Sequence, residues 1–494
     1  MKKPQGHLHD TPLIGQTLPE HGLRGAAVHV PGHHYTTIAC TGSGKLAASA
    51  AHQLIGWPDD LLAISEKNDL CDLALGRRCD PTLWDDLRLV RRWGRRLGAD
   101  PRGITQARYH LAGGRVMNVD LGGSTAYPAS RYTFLNEVDV TEAGAQARLM
   151  AIARGLFPEQ KKTATADPYW QLAPQGAFAA VAGHVRTTEP DPRDQTLVRA
   201  TERLMGIDPA TGKSNPKLQE RLFLEMMHNP HLGGFIAAQG AELYNLGEKT
   251  LGPLMSTIGT RTRWMLGDKR VREMLSGPSD FSLEELGAGG PPLSVFVTPV
   301  RGDKSSQAFL RMLLELSVLM FQQRREPPKK RVLLLADEVP AWGEEQVNLL
   351  RSSMNILRDR KVTVWLYAQS YGQLVQLCDE QGAAEILSAS CVQLFGCRDK
   401  CTVDMIRDRL GKTVIRRNSG KGPAKFEEVY VADTDAIYDE LSPASPLQYV
   451  FPYAGRPMRL GRVGYTSIRT REGLVLPGLN YQGHYDVRLR PYGP

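Results

Sequence analysis

The stretch "YTTIACTGSGKLAASAAHQL", residues 35 to 54, narrows the fold more than any other part of this 494-residue chain. A β-branched run ends in a glycine-rich turn, the turn ends in a lysine, and an alanine-rich helical run follows. A strand that opens into a helix through such a turn presents backbone N–H groups and a lysine to phosphates. The full pattern is G-x-x-x-x-G-K-[ST], and only "TGSGK", Thr41 to Lys45, fits it. Ala39 takes the first glycine slot and Leu46 takes the Ser/Thr slot. The candidate phosphate-binding residues are Thr41, Gly42, Ser43, Gly44, Lys45 and Leu46, with one direct Mg²⁺ ligand missing at Leu46. Mg²⁺ keeps several waters and needs only one or two carboxylates plus phosphate oxygens, so that loss does not abolish a site. Ala39 is tolerable wherever its φ is negative.

The rest of the chain alternates in the same way. Residues 24 to 40 read as strand, Pro-Gly turn, strand. "DDLLAISEK" is a second strand that ends in polar residues, and "GRVMNVDL", Gly114 to Leu121, a third. Between them "LWDDLRLVRRWGRRLG" reads as a basic helix, suited either to DNA phosphates or to plain solvent. From about residue 141 the spacing turns helical, and residues 165 to 250 read as an inserted all-helical subdomain. The sheet pattern resumes at "PPLSVFVTPV". The long amphipathic helix "SQAFLRMLLELSVLMFQQRR" follows, then the strands "RVLLLADE", "KVTVWLYAQS" and "CVQLFGC" with helices between them, one being "GQLVQLCDEQGAAEILSAS". This predicts an α/β fold with a mostly parallel sheet covered by helices on both faces.

"RVLLLADE" sets Asp337 and Glu338 at the carboxyl end of a buried strand, where open α/β sheets gather ligands. In nucleotide hydrolysis the Asp would hold Mg²⁺, directly or through water, and the Glu would polarise the attacking water. Taken alone, the pair also suits an acidic helix N-terminus. "KVTVWLYAQS" ends in Gln369, placed to sense a γ-phosphate if its strand neighbours the Asp337 strand. Ser370 fits that role or the capping of the next helix. Arg358 lies near the far end of the helix between those strands. It is either a cation at a helix C-terminus or a finger that reaches a neighbouring subunit's phosphates.

Other residue types narrow the class. Hydrophobic content of 41% and charged content of 23% are ordinary for a globular protein, and a net charge of +8 favours a polyanionic partner without requiring one. Seven cysteines, odd in number and irregularly spaced, fit a reducing compartment, and "CRDKC" lacks a second cluster to complete a zinc site. His33, His34, His228 and His231 read as loop residues. No run of about 18 apolar residues is present to span a bilayer, and "MKKPQGHLHDTPLIGQ" lacks the apolar core of a secretory signal.

The pieces also occur in a characteristic order: "CTGSGK", "LLAISEKND", "YTFLNEVD", "DPYWQLAPQGAFAA", "GPSDFSLEEL", "LLLADEVPAWG", "AQSYGQLVQL", "VQLFGCRDKCTVDMIRDRLGKT" and "FPYAGRPMRLGRVGYT". The series covers most of residues 25 to 466 and resembles the type IV secretion coupling proteins, the TraG-like ATPases of bacterial conjugation. The resemblance implies a RecA-like P-loop ATPase fold with an inserted all-α domain, often a hexamer around a DNA channel. It assigns phosphate binding to Lys45, the Walker B acids to Asp337 and Glu338, the motif glutamine to Gln369 and the trans-acting arginine to Arg358. In that family the lysine is often followed by Gly, so a missing hydroxyl at position 46 is a family trait. Many members begin with membrane-spanning helices, which this sequence lacks. The acid expected at the start of the D-x-K-type strand end is Ser65 here, while Lys67 and Asp69 remain.

The expected domains are residues 1–164 and 251–466 as the two parts of the nucleotide-binding domain, 165–250 as the all-α insertion, and 467–494 as a tail. The expected function is an ATP- and Mg²⁺-dependent coupling protein that recruits DNA or nucleoprotein to a secretion channel. Its partners would be DNA, a relaxase or channel proteins, and copies of itself in a hexamer. Its place would be the cytoplasm, or the inner membrane by way of an anchored partner. The rival readings are a DNA-pumping or packaging ATPase without a secretion role, and a non-hydrolysing adaptor on the same fold.

Overall fold

The computed structural model describes residues 12–18, 27–71, 114–125, 127–158, 169–208, 211–417 and 425–462. The arginine-rich stretch 83–98 and the tail 467–494 lie outside these described residues. Thirteen strands are described: β1 Leu13–Gln16, β2 Ala27–His29, β3 His34–Ala39, β4 Asp60–Ile64, β5 Arg115–Asp120, β6 Leu293–Thr298, β7 Val332–Ala336, β8 Val362–Ala368, β9 Ser390–Phe395, β10 Lys412–Arg417, β11 Lys425–Tyr430, β12 Leu447–Phe451 and β13 Met458–Gly461. The chain divides into two compact units.

The first unit joins residues 1–116, 290–294 and 331–494. Nine of its strands lie in the order β2-β1-β13-β12-β9-β3-β8-β7-β4. The five from β9 to β4 are parallel, with Thr36 opposite both Leu366 and Val392, and Leu334 opposite both Leu62 and Val364. The flank from β12 to β2 is antiparallel. Each parallel strand is buried along its whole length, which accounts for the uninterrupted apolar run of β7. The helix Glu344–Asp359 returns the chain from β7 to β8, and the helix Tyr371–Ser388 returns it from β8 to β9. That second connection skips over β3, so the segment after β3 opens between the carboxyl ends of β8 and β9. Such a change of winding direction is where open α/β sheets bind ligands.

The helix Tyr371–Ser388 departs from the single run read in the sequence. Cys378 and Asp379 leave helical geometry, Asp379 with φ of 59°, and the Asp379 carboxylate accepts from Gly382 N–H at 2.7 Å. The aspartate therefore caps a fresh turn inside the run. His34 also differs from its reading as a loop residue. It opens β3 and is 2% exposed. One ring nitrogen, Nε2, lies 2.8 Å from Met354 O, and the other, Nδ1, accepts from Val364 N–H at 3.0 Å.

The second unit joins residues 117–289 and 295–330. In it β5 pairs with β6. Its helices include Ala145–Leu156, Tyr169–Thr188, Leu197–Leu204, Pro216–Met227, Phe235–Asn245, Glu248–Thr262 and Lys304–Gln323. The run of helices thus continues past residue 250. Gly155 lets Ala145–Leu156 press against Lys304–Gln323, since a Cβ there would stand 2.4 Å from Met312 N. Tyr132, Phe134, Phe281 and Phe309 form an aromatic cluster of edge and stacked contacts. Beside it Glu137 accepts from Ser282 Oγ at 2.6 Å and Leu283 N–H at 2.8 Å, while burial pushes its carboxyl up to about 7.

Candidate active site

After β3 the backbone turns back at once, with Ser43 N–H and Ser43 Oγ both donating to Cys40 O, at 3.2 Å and 2.6 Å. Gly42 and Gly44 have φ of 79° and 84°, and a Cβ on either would meet nothing within 4 Å. The two glycines are therefore required by conformation and not by space. Ala39 ends β3 in extended, buried backbone, so the alanine in the first glycine slot carries no strain. Beyond Lys45 the chain enters a wide turn over Leu46–Ala50, closed from Ala51 N–H back to Leu46 O, and then the helix Ala51–Gly56. Single wide turns of this kind recur at functional sites.

This loop is held from below and from the side. Beneath it, Ser49 Oγ lies 3.1 Å from Tyr367 Oη and 3.3 Å from Thr37 Oγ1. Thr37 also accepts from Trp365 Nε1 at 2.9 Å and donates to Gln393 at 3.0 Å. A buried polar network is tolerable only when its members find partners, and these five side chains do. To the side, Gly396, just past β9, has φ of 64°, and a Cβ there would lie 2.2 Å from Ser43 Cβ. Arg462 Nη1 donates to Ser43 O at 2.7 Å, Nη2 to Pro443 O at 3.0 Å and to Ser445 O, and the guanidinium lies 5.2 Å over the Phe395 ring. A planar trans peptide with its carbonyl turned to Arg462 turns the Gly44 N–H to the opposite side.

The carboxylates stand at the end of β7. Asp337 N–H donates to Ile64 O at 2.9 Å, which keeps β7 paired with β4 up to the site. The Glu338 backbone is left-handed, with φ of 52°. Strain of that kind costs about 1–3 kcal/mol and persists where the surroundings fix it. Here they do. Lys45 Nζ donates to Glu338 Oε1 at 3.3 Å, Lys67 Nζ to the same oxygen at 3.0 Å, and Gln369 Nε2 to Oε2 at 2.7 Å. Four strand ends thus meet on one carboxylate: β3 through Lys45, β4 through Lys67, β7 and β8. Burial would raise the Glu338 carboxyl, but Lys45, Lys67 and Gln369 outweigh it and hold the group down at about 2. Asp337 goes the other way, raised by burial against the pull of Lys45 and of Ser65, whose Oγ donates to Asp337 Oδ2 at 3.0 Å. For Lys67, burial is outweighed by Glu338, and its pKa is raised.

The structure therefore gathers Lys45, Asp337, Glu338 and Gln369, and β7 and β8 are neighbours as their order implies. Arg358 is not among them. It sits in the last turn of its helix, Nε donating to Asp359 at 3.2 Å, and its charge is felt by His34 at the opposite end of β3. Three contributors were given no role from sequence. Ser65 and Lys67 were marked only as positions of the D-x-K-type strand end, and their part in the site follows once β4 is known to lie beside β7. Arg462 left no signal, because its contact with Ser43 spans 419 residues.

A site of three donor side chains around one carboxylate, beside a lysine-ended glycine loop, can bind a phosphorylated ligand and activate a water. The profile of the family described as type IV secretory system conjugative DNA transfer matches residues 112–429, well over half of the chain. That span contains Asp337, Glu338 and Gln369, while the Lys45 loop lies before it. No curated protein sequence matches. Among solved structures, the chain resembles the bacterial conjugative coupling protein TrwBdeltaN70 in complex with sulphate. The identity is 15%, the TM-score 0.57, and the match covers 87% of this chain and 85% of that one. Plasmid coupling protein TrwB in complex with ADP and Mg²⁺ matches at 15% identity and TM-score 0.55. The same protein with the non-hydrolysable ATP analogue ADPNP matches at 16% and 0.55. Each of these two covers 87% of this chain and 85% of the other. The fold is thus the one those proteins share.

Proposed function

This chain belongs to the type IV secretory system conjugative DNA transfer family, and on that premise we propose that it is an ATP-hydrolysing coupling protein that delivers DNA or nucleoprotein to a secretion channel. The observation that carries the hydrolytic part is the meeting of Lys45, Lys67 and Gln369 on the single carboxylate of Glu338. An adaptor that only bound partners would have no use for a buried, ionised glutamate set beside a phosphate loop. Lys45 and the loop N–H groups from Gly44 to Leu46 hold the phosphates, while the Ser43 N–H closes the turn on Cys40 O. Glu338 orients water and accepts its proton, and Gln369 reports occupancy to β8. Catalysis is by positioning and charge stabilisation.

Asp337 fits a Mg²⁺ role: it is a hard oxygen donor, its Oδ2 is held by Ser65 Oγ, and it lies beside the glutamate. Bound Mg²⁺ would neutralise phosphate charge. TrwB structures with ADP and Mg²⁺ and with ADPNP support the same ligands here. In this reading residues 1–164 and 251–466 form the RecA-like nucleotide-binding part and 165–250 its all-α insertion. Arg358 serves the neighbouring copy in a hexameric ring. Among the described residues no helix is long and apolar enough to cross a membrane.

Nucleotide titration of two variants tests the assignment. Lys45→Ala is expected to weaken ATP binding, whereas Glu338→Gln is expected to bind ATP as the wild type does. Equal loss of binding in both, or in neither, would remove the division of labour between grip and chemistry.

A further inference from the structure

Lys67 lies outside the glycine loop, yet its ammonium shares an oxygen with that of Lys45. Both donate to Glu338 Oε1, at 3.0 Å and 3.3 Å. The two nitrogens are therefore no farther apart than those two contacts laid end to end. A phosphoryl group gripped by Lys45 stands within one side chain's swing of Lys67. The two lysines differ in freedom: the Lys45 side chain is 11% exposed, the Lys67 side chain 45%. Lys67 is rooted three residues past β4, where its N–H donates to Ser65 Oγ at 3.2 Å, so the backbone is anchored while the four-carbon stem is solvated. The position is also short of one ligand, because Leu46 stands where a hydroxyl would otherwise help hold Mg²⁺ and phosphate.

We propose that Lys67 is a second phosphate-binding lysine, which exchanges Glu338 for the γ-phosphate when nucleoside triphosphate enters. This rests on reading the site as a nucleotide hydrolase. The exchange has a consequence for the glutamate. With two ammonium groups filling Oε1 and the Gln369 amide on Oε2, the carboxylate keeps a single acceptor site, on Oε2, for water. Triphosphate draws both lysines away and frees Oε1. In the reaction the water oxygen bonds to the γ-phosphorus. The bond from that phosphorus to the β–γ bridging oxygen breaks with its electron pair left on ADP, and the water proton passes to Glu338. Lys67 supplies charge and neither gains nor loses a proton. A diphosphate lacks the γ-group and leaves Lys67 on Glu338.

The test compares two nucleotides on the full chain with Mg²⁺, using ADP and the non-hydrolysable analogue ADPNP. Lys67→Met is expected to weaken ADPNP on the order of tenfold or more, about 1.4 kcal/mol per decade, and to leave ADP unchanged. Lys67→Arg is expected to keep most of the preference. A residue that merely held Glu338 in place would move both nucleotides together or neither. The proposal is overturned if Lys67→Met binds ADPNP as tightly as the wild type or more tightly, or loses ADP and ADPNP equally. If the wild type binds neither nucleotide, the hydrolase reading itself fails, which is a separate outcome from a wild type that binds both and a variant that matches it.

Discussion

At Ser43 one carbonyl decides which way the phosphate loop faces, and Arg462 holds it at 2.7 Å. Arg462→Ala is expected to raise the nucleotide dissociation constant on the order of tenfold, about 1.4 kcal/mol, with little change in fold. A fluorescent-nucleotide titration reads this directly, and wild-type affinity would sink the latch. His34 makes a different kind of prediction. Burial, with help from the nearby positive charge of Arg358 and from His33, lowers its pKa to about 4, against the pull of Met354 O. Its neutral ring donates from Nε2 to Met354 and accepts at Nδ1 from Val364 N–H, and a proton on Nδ1 would confront that N–H. Because the folded value lies below the ordinary 6.5, the unfolded chain takes up the proton first. The contribution to stability is complete above pH 6.5 and is lost as pH falls towards 4, roughly 3 kcal/mol in all. Chemical denaturation from pH 7.5 to 4 is expected to show a steeper acid loss in the wild type than in His34→Gln. Parallel curves would contradict it.

Gly396, where β9 hands over to the loop beside Ser43, is the element-scale counterpart. Alanine there needs both a left-handed backbone and space that Ser43 already fills. Gly396→Ala is expected to cost about 1–3 kcal/mol in a denaturant melt and to weaken nucleotide binding as the loop is pushed aside. Retention of both would contradict the close packing. The elements themselves were largely legible: β7 is an unbroken apolar run, β4, β8 and β9 are predominantly apolar, and the glycine loop lies between a strand and a helix as read. Asp337, Glu338 and Gln369 were legible for the same reason, because each ends a buried strand. What stayed hidden depends on neighbours far away in the chain. Lys67 matters because β4 lies beside β7, and Arg462 because the last described strand ends near the loop. His34 was misread because the Pro31–Gly32 turn looked as if it ran on through both histidines, whereas β3 begins at His34. The break at Asp379 follows from a side-chain cap that helical periodicity does not report.

In the assembled molecule two properties should appear that no single site shows. The net charge of +8 and the absence of a base-reading motif lead to DNA binding with little sequence preference and a steep fall with salt, as phosphate contacts release counterions. A salt-independent titration, or no binding, would favour the adaptor reading. Arg358 ends a helix whose start lies beside Asp337 and Glu338, and fifteen residues of helix extend roughly 22 Å. In a ring that end can face the next copy's site. Arg358→Ala is expected to fold and bind ATP but to be nearly inactive. Mixing it with Lys45→Ala should restore some activity through interfaces that carry an intact loop and an intact arginine. If mixed rings recover nothing, the helix-end reading of Arg358 stands. The most direct measurement of the whole account is phosphate release at saturating ATP and Mg²⁺ by the wild type and Glu338→Gln, without DNA and with single- or double-stranded DNA. The account predicts wild-type turnover that DNA stimulates, and a rate for Glu338→Gln lower by about 10² or more although it still binds ATP. Turnover by Glu338→Gln at the wild-type rate, or a wild type that hydrolyses nothing under any of these conditions, would contradict it.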